Sequence, residues 1–400
     1  MTDHQQQQAV LTCQHILRPP LQEIGEGDDR LVYEIGQPAW QCSFSKDGNH
    51  LAVCYGAPQP CIRIWEMVHK FNDKKKGTQW ILQSTLSGVH ERTVRSVVFA
   101  PIMKPLILAS ASFDGSIAIW EASTRNETLS WECTAQLEGH ENEVKCVVFN
   151  ETGSLLASSG RDKTVWIWEC FLPGTVGGPS EGSEASEFEC IAVLNGHEAD
   201  VKCVRFAPSH DQWGDGAEIL LSSSYDDTIR VWAEDAGDWY CAASISGVHS
   251  STIWSLALAP SGARLVSGSA DASLAIYKAY TIAEKKRLFP EDKDQSNSHG
   301  VWKCVGKLTD AHYAAVYAVD YAPAQAGHGR VVSAGADGDI HIYHEAMGST
   351  SDRPLFSLEA SVDAGHNGDV NHVRWHPFLG SVLASVGDDG AVRIWKYQTA

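Results

Sequence analysis

Gly139-His140-Glu141-Asn142-Glu143-Val144-Lys145-Cys146-Val147-Val148-Phe149, leading to Gly160-Arg161-Asp162-Lys163-Thr164-Val165-Trp166-Ile167-Trp168, is the stretch from which the rest of the chain can be read. After the histidine the apolar residues alternate with the period of a half-buried strand (144–149). A turn at Glu151-Thr152-Gly153 leads to a second strand (155–159), and Arg161-Asp162-Lys163 turns into a third (164–168). A fourth, 190–194, comes just before the next Gly-His. Working outward, a histidine, then an aspartate, then six positions on a Trp or Tyr recurs along the chain. The sets are His90/Asp114/Trp120, His140/Asp162/Trp168, His197/Asp226/Trp232, His249/Asp271/Tyr277, His312/Asp337/Tyr343 and His366/Asp389/Trp395. A further unit, from Trp40 through Ile64-Trp65-Glu66, lacks the His/Asp pair.

A period slightly above forty, with four short strands in each unit, resembles the WD40 type of repeat, in which every unit is one propeller blade. Seven units close a ring. The expected fold is all-β: a seven-bladed WD40 β-propeller spanning residues 10–400 as a single domain, after a flexible N-terminus at 1–9. In this architecture the His, a strand-b Ser such as Ser158, the Asp and the Trp hydrogen-bond in series, because a buried carboxylate without partners costs several kcal/mol. Ser, His and Asp together could suggest a hydrolase, but a hydrolase needs one triad and not six. The structural tetrads are therefore assigned to His90, Asp114, Trp120; His140, Ser158, Asp162, Trp168; His197, Asp226, Trp232; His249, Asp271; His312, Asp337; and His366, Asp389, Trp395.

Blade one is the exception. Gln59 stands six before Trp65, no Gly-His precedes Trp40, and packing with ring closure is expected to hold the blade instead. After Trp395 only residues 396–400 remain, too few for blade seven's outer strand. The segment 10–17 is expected to supply that strand and remove an exposed edge, with 30–36 as the competing candidate. Insertions at 172–186, 209–217 and 283–300 read as loops, the first rich in Gly, Ser and Glu, the last opening on Lys285-Lys286-Arg287.

Composition narrows the function. The net charge of −19 argues against general nucleic-acid binding and favours partners with basic patches. No apolar run approaches the ~18 residues of a membrane span, and the start lacks the regions of a signal peptide. Eleven cysteines, an odd number without framework spacing, read as reduced thiols of the cytosol or nucleus. No phosphate-binding loop, nucleophile elbow or zinc-protease helix occurs, and the histidines outside the repeats, the His372/His376 pair included, lack ligand spacing. Neither an enzymatic activity, a metal nor a cofactor is expected.

Partners should meet the narrow face, framed by the residue before each repeat Asp and by the second residue of strand a. The first set is Phe113, Arg161, Tyr225, Ala270, Ala336 and Asp388; the second is Arg95, Lys145, Lys202, Trp254, Tyr317 and Asn371. Blades two to four thus aim Arg95, Lys145, Lys202 and Arg161 at one rim, beside Tyr225, Trp254 and Tyr317. Two readings stand. The cations balance nearby acids such as Glu143 and Asp200, or they anchor an acidic segment that also carries an apolar or aromatic side chain.

The wording of the repeats carries a narrower resemblance. Glu138 to Lys145 with Gly160 to Glu169, Ser223-Ser224-Tyr225-Asp226-Asp227-Thr228-Ile229-Arg230 with Asp238-Trp239, Ser251-Thr252-Ile253-Trp254-Ser255, and Gly387-Asp388-Asp389-Gly390 together resemble the WD40 protein of cytosolic iron–sulfur protein assembly. The likeness is ordered and covers roughly residues 40–400 outside the insertions. It implies a non-enzymatic scaffold of the targeting complex that helps deliver clusters to cytosolic and nuclear apoproteins. The implied partners are a small adaptor, a helical-repeat adaptor, a cluster carrier and client apoproteins with acidic and aromatic segments, in the cytoplasm with the nucleus as a second location. It also implies a surface role for the arginine of the Arg-Asp-Lys turn, Arg161. Where some relatives end blade four in Leu-Tyr-Arg, this chain has Val231-Trp232-Ala233. The alternative function is another WD40 adaptor, such as a ubiquitin-ligase substrate receptor or a histone-tail reader.

Overall fold

Each repeat forms one antiparallel sheet because its strands can bury both faces only between two neighbouring sheets. The computed structural model describes residues 9–18, 22–24, 31–33, 36–72, 75–125, 128–175, 177–179, 186–208, 218–291, 299–326 and 329–399. They form seven four-stranded sheets and one two-stranded hairpin. In blade three strand a is Val144–Phe149, b is Leu155–Gly160, c is Val165–Phe171 and d is Glu187–Leu194. Strand d starts earlier than the alternation alone implied. Strand b is made of small residues, as in Leu156-Ala157-Ser158-Ser159 and Leu221-Ser222-Ser223-Ser224, and these are fully buried. Small side chains there let neighbouring sheets approach where the ring tapers toward its axis.

The innermost strands leave one row of backbone N–H groups unpaired, and the preceding blade supplies side-chain acceptors. Gln41 Oε1 accepts from Val97 N (2.7 Å), Ser96 Oγ from Val147 N (3.1 Å), Ser255 Oγ from Val319 N (3.2 Å) and Asp320 Oδ2 from Trp375 N (2.7 Å). Buried donors without partners cost stability, so these contacts hold the blades in register as well as in contact.

Ring closure follows the expectation. Val10–Leu17 is the outer strand of blade seven, antiparallel to Val392–Gln398, from Val10 opposite Gln398 to Leu17 opposite Val392. The competing segment contributes Leu31–Tyr33, which pairs instead with Gln22–Ile24.

Blade one is held by more than packing. Gln37 Nε2 donates to the carbonyls of Gly56 (2.7 Å) and Gln59, while Arg63 donates to Gln37 Oε1 (3.5 Å) and lies over the Tyr55 ring. One glutamine thus takes the place of the missing His/Asp pair. The outer hairpin of this blade, Cys61–Asn72 with Lys75–Ser87, is also about twice the usual strand length.

The third insertion departs from the loop reading. Ile282–Leu288 is an α-helix, started by a capping box in which Thr281 Oγ1 accepts from Glu284 N and Glu284 Oε2 accepts from Thr281 N. Thr-x-x-Glu is a recognisable helix start that the charge of the segment obscured. Residues 209–217, 180–185, 292–298 and the N-terminal 1–8 lie outside the described residues.

Candidate partner-binding face

In blades two to seven the histidine loop before strand a and the turn between strands b and c meet at one end of the blade, so the repeat side chains lie just beneath that face. In blade three His140 Nδ1 is 2.7 Å from Asp162 Oδ2 and its Nε2 is 2.9 Å from Ser158 Oγ, to which Trp168 Nε1 donates at 3.1 Å. The same chain runs through His90, Asp114, Ser110 and Trp120. It recurs through His197, Asp226, Ser222 and Trp232, and through His366, Asp389, Ser385 and Trp395. In blade five Tyr277 takes the tryptophan's place on Ser267, while His249 meets Asp271. Blade six differs from the expected series: His312 reaches Asp337 and Ser333, but the Tyr343 hydroxyl donates to the Ala311 carbonyl (2.7 Å). His341, stacked on His312 with ring centroids 4.3 Å apart, lies between that tyrosine and the histidine of the set.

These groups carry charge without being open to substrate. Burial alone would raise the Asp114, Asp226 and Asp389 carboxyls, but hydrogen bonds from His90, His197 and His366 outweigh it and hold them well below the usual carboxylate range. The six strand-b serines have no exposed surface, and each is bonded to its histidine. A nucleophile so enclosed has no room for a scissile bond.

Above them lies the rim. The guanidinium of Arg161 is 55 % exposed, and its nearest carboxylate is Glu143 at 3.6 Å. Glu143 Oε2 also accepts from Lys145 Nζ at 2.5 Å, and Lys145 lies over the Phe113 ring. Lys202 pairs with Asp200 (2.9 Å) and sits over both the Tyr225 and Trp254 rings. Arg95 is half-buried over the Trp40 ring, 5.2 Å from its centroid, with no carboxylate partner among the described residues. Burial lowers the affinity of Arg95 and Lys145 for their protons, and Glu143 partly offsets this for Lys145. The aromatic half is assembled too: Trp254 and Tyr317 meet edge to face at 5.3 Å, and Tyr225 is 60 % exposed.

The structure therefore brings all seven rim residues to one face and divides the cations into two kinds. Lys145 and Lys202 are tied to acids two positions earlier, in keeping with the balancing reading. Arg161 and Arg95 are not satisfied in that way. A further arginine, Arg92, reaches the same rim and shares Glu143: it is 56 % exposed, with Nη2 2.9 Å from Glu143 Oε1 and Nη1 donating to the Phe113 carbonyl at 2.6 Å. Sequence reasoning passed over it because it lies in the histidine loop, two residues after His90, outside the two sets of rim positions. On the other side of the face Asp388 holds Asn371 (2.8 Å), and burial beside Asp388 raises the Asp369 carboxyl. The face thus carries its cations across blades two to four and the acids Asp369 and Asp388 at blade seven. Among the described residues no group of three or more His, Cys, Asp or Glu side chains could hold a metal ion.

Seven four-stranded sheets, six of them carrying this buried series, define a WD-repeat β-propeller, and the family model for the WD domain, G-beta repeat, matches residues 131–169, 188–233, 239–278 and 355–396. Among curated relatives, a probable cytosolic iron–sulfur protein assembly protein 1 from Scheffersomyces stipitis is 35 % identical over 343 residues, covering 78 % of this chain and 85 % of the relative. Proteins of the same description from Botryotinia fuckeliana (32 % over 391 residues; 78 % and 86 %) and Chaetomium globosum (30 % over 396 residues; 78 % and 85 %) are similar across the same span. The chain belongs to the family of the cytosolic iron–sulfur protein assembly protein 1.

Proposed function

We propose that this chain is a non-enzymatic scaffold of the cytosolic iron–sulfur assembly machinery, one that helps pass clusters to cytosolic and nuclear apoproteins by holding proteins together. Family membership supports the pathway. The observation that supports the mode of action is the rim, where Arg92, Lys145 and Arg161 share the single carboxylate of Glu143 and Arg95 lies over Trp40, in a chain of net charge −19. A bidentate guanidinium suits a carboxylate, and the Trp254–Tyr317 pair with Tyr225 suits an apolar or aromatic side chain. We assign client or adaptor binding to Arg161, Arg95, Lys145, Lys202, Tyr225, Trp254 and Tyr317, and the buried His–Asp–Ser–Trp series to the framework. The proposed partners are a small adaptor, a helical-repeat adaptor, a cluster carrier and apoproteins with acidic and aromatic segments. The chain works in the cytosol, with the nucleus as a second location, and residues 10–400 act as one unit.

Affinity purification of the full chain with identification of bound proteins tests this. Recovery of assembly adaptors and iron–sulfur apoproteins is the expected result. Recovery of ubiquitin-ligase subunits or histones in their place would overturn it.

A further inference from the structure

The inner ring varies at one position from blade to blade: after the bulge that opens strand a, blade one carries Gln41, blade six Ala318 and blade seven His372. There blades two and five carry Ser96 and Ser255, the hydroxyls that cap the next blade's strand. At the equivalent position blades three and four carry Cys146 and Cys203. Equivalent positions of adjacent blades are neighbours around the ring, so the two thiols come together. Both lie against the Val204 carbonyl, Cys146 Sγ at 3.9 Å and Cys203 Sγ at 3.8 Å. Each residue is only 3 % exposed. Arg205 completes the group: its Nη1 is held at 2.9 Å by the Val204 carbonyl and lies 3.6 Å from Cys146 Sγ.

We propose that Cys146 and Cys203 form a reversible disulfide, driven by hydroperoxides, that joins strand a of blade three to strand a of blade four. The chemistry favours this pair over the other thiols. The neighbouring Cys203, with the Arg205 guanidinium beside it, lowers the Cys146 thiol, while Cys203 is raised. Burial pushes Cys42, Cys54 and Cys170 upward, which leaves them protonated. The thiolate is the nucleophile toward peroxide. The Cys146 sulfur attacks the terminal peroxide oxygen, the O–O bond breaks, and a sulfenic acid forms as the other oxygen leaves, with a proton, as an alcohol, or as water where the oxidant is hydrogen peroxide. The Cys203 sulfur then displaces the hydroxyl, its proton leaving with that oxygen as water. Two thiols are oxidised to one disulfide while one hydroperoxide is reduced. A dithiol reverses the step by exchange.

The bond would cross-link two blades at the residues directly after Lys145 and Lys202, so its state reaches the basic rim. Peptide mapping of the full chain tests it. The reduced protein is first treated with iodoacetamide under native conditions to block exposed thiols such as Cys190, Cys241 and Cys304, then dosed with hydrogen peroxide, unfolded and digested. The expected product is the peptide of Cys146 joined to that of Cys203, two hydrogens lighter than the reduced pair and split by dithiothreitol. The oxidised chain should melt above the reduced one. Cys146→Ser and Cys203→Ser should each abolish the linked peptide, and either variant suffices if the other does not fold. Recovery of both thiols free after peroxide, or of Cys146 as sulfinic or sulfonic acid without a link, would overturn the proposal.

Discussion

Arg92 and Glu143 meet across the seam between blades two and three, with guanidinium Nη2 2.9 Å from carboxylate Oε1. The same carboxylate serves Lys145 and, at longer range, Arg161. Burial would raise Glu143, but the bonds from Lys145 and Arg92 hold it ionised below the ordinary value. One acid shared among three cations leaves positive charge for an incoming carboxylate. Glu143→Gln keeps an oxygen acceptor while removing the competing charge. An acidic peptide ending in an aromatic residue should bind this variant roughly two- to fivefold more tightly, the scale of one exposed ion pair. Fluorescence anisotropy at low and high salt measures it, and weaker binding would contradict the rim assignment.

Arg161→Glu should abolish capture of clients while leaving the melting temperature unchanged, because the side chain is more than half exposed and supports no packing. Arg161→Lys should restore binding only in part, since an ammonium cannot reproduce the planar fork. Rising salt should weaken the wild-type interaction. Pull-downs with all three forms check the series. Wild-type capture by Arg161→Glu removes this residue from the site.

Asp162→Ala removes the acceptor of His140 Nδ1, of the Glu141 and Thr164 backbone N–H groups, and of the Thr164 hydroxyl. The expected loss is about 1–3 kcal/mol of stability, seen in thermal or urea unfolding before any selective loss of a partner. Unchanged unfolding with lost binding would place this aspartate in the site instead of the framework.

Acid should destabilise the ring in two stages. Burial lowers His249, His366 and His372 below their ordinary value, so on acidification the unfolded chain takes up protons first, near pH ~6.5. Stability is therefore lost as pH falls through that value toward the folded ones. Asp114, Asp226, Asp271 and Asp389 are held well below the usual carboxylate range, and their stabilisation is present above about pH 4 and lost beneath it. Melting temperatures across this range test both stages. A flat profile between about pH 7.5 and about 5.5 would contradict the first.

Deleting residues 1–20 removes the Val10–Leu17 strand and bares the edge of Val392–Gln398. The truncated chain should melt well below the full one and should self-associate through the open edge. Calorimetry and light scattering read the two effects, and wild-type values in both would disprove this closure.

The propeller was legible because the histidine, aspartate and tryptophan must recur at fixed positions for a buried charge to be met in each blade. Gln37 was not, since its partners are carbonyls of the Gly56–Gln59 turn, and backbone acceptors leave no mark in a sequence. The pairing of Lys145 with Glu143 and of Lys202 with Asp200 was legible in principle: residues two apart at the start of a strand share one side. Arg92 depends on how a loop crosses a blade boundary, and local patterning does not report that. That Cys146 and Cys203 meet at the Val204 carbonyl needed the three-dimensional ring, although both cysteines stood at the same place in their repeats.

The outer strand of blade seven sets a condition on synthesis. Leu11 leaves the ribosome long before Tyr397, yet the two stand opposite each other in the finished sheet. Blades one to six can form in turn as they emerge, since their strands are close in sequence, while the closing pair must wait until Val392–Gln398 has been made. Until then Val10–Leu17 is an unpaired strand, and one copy could pair with the open last blade of another. Cells making this protein at high density would need that segment shielded by a chaperone, and a nascent chain stalled shortly before residue 392 should be the species on which such a chaperone is found.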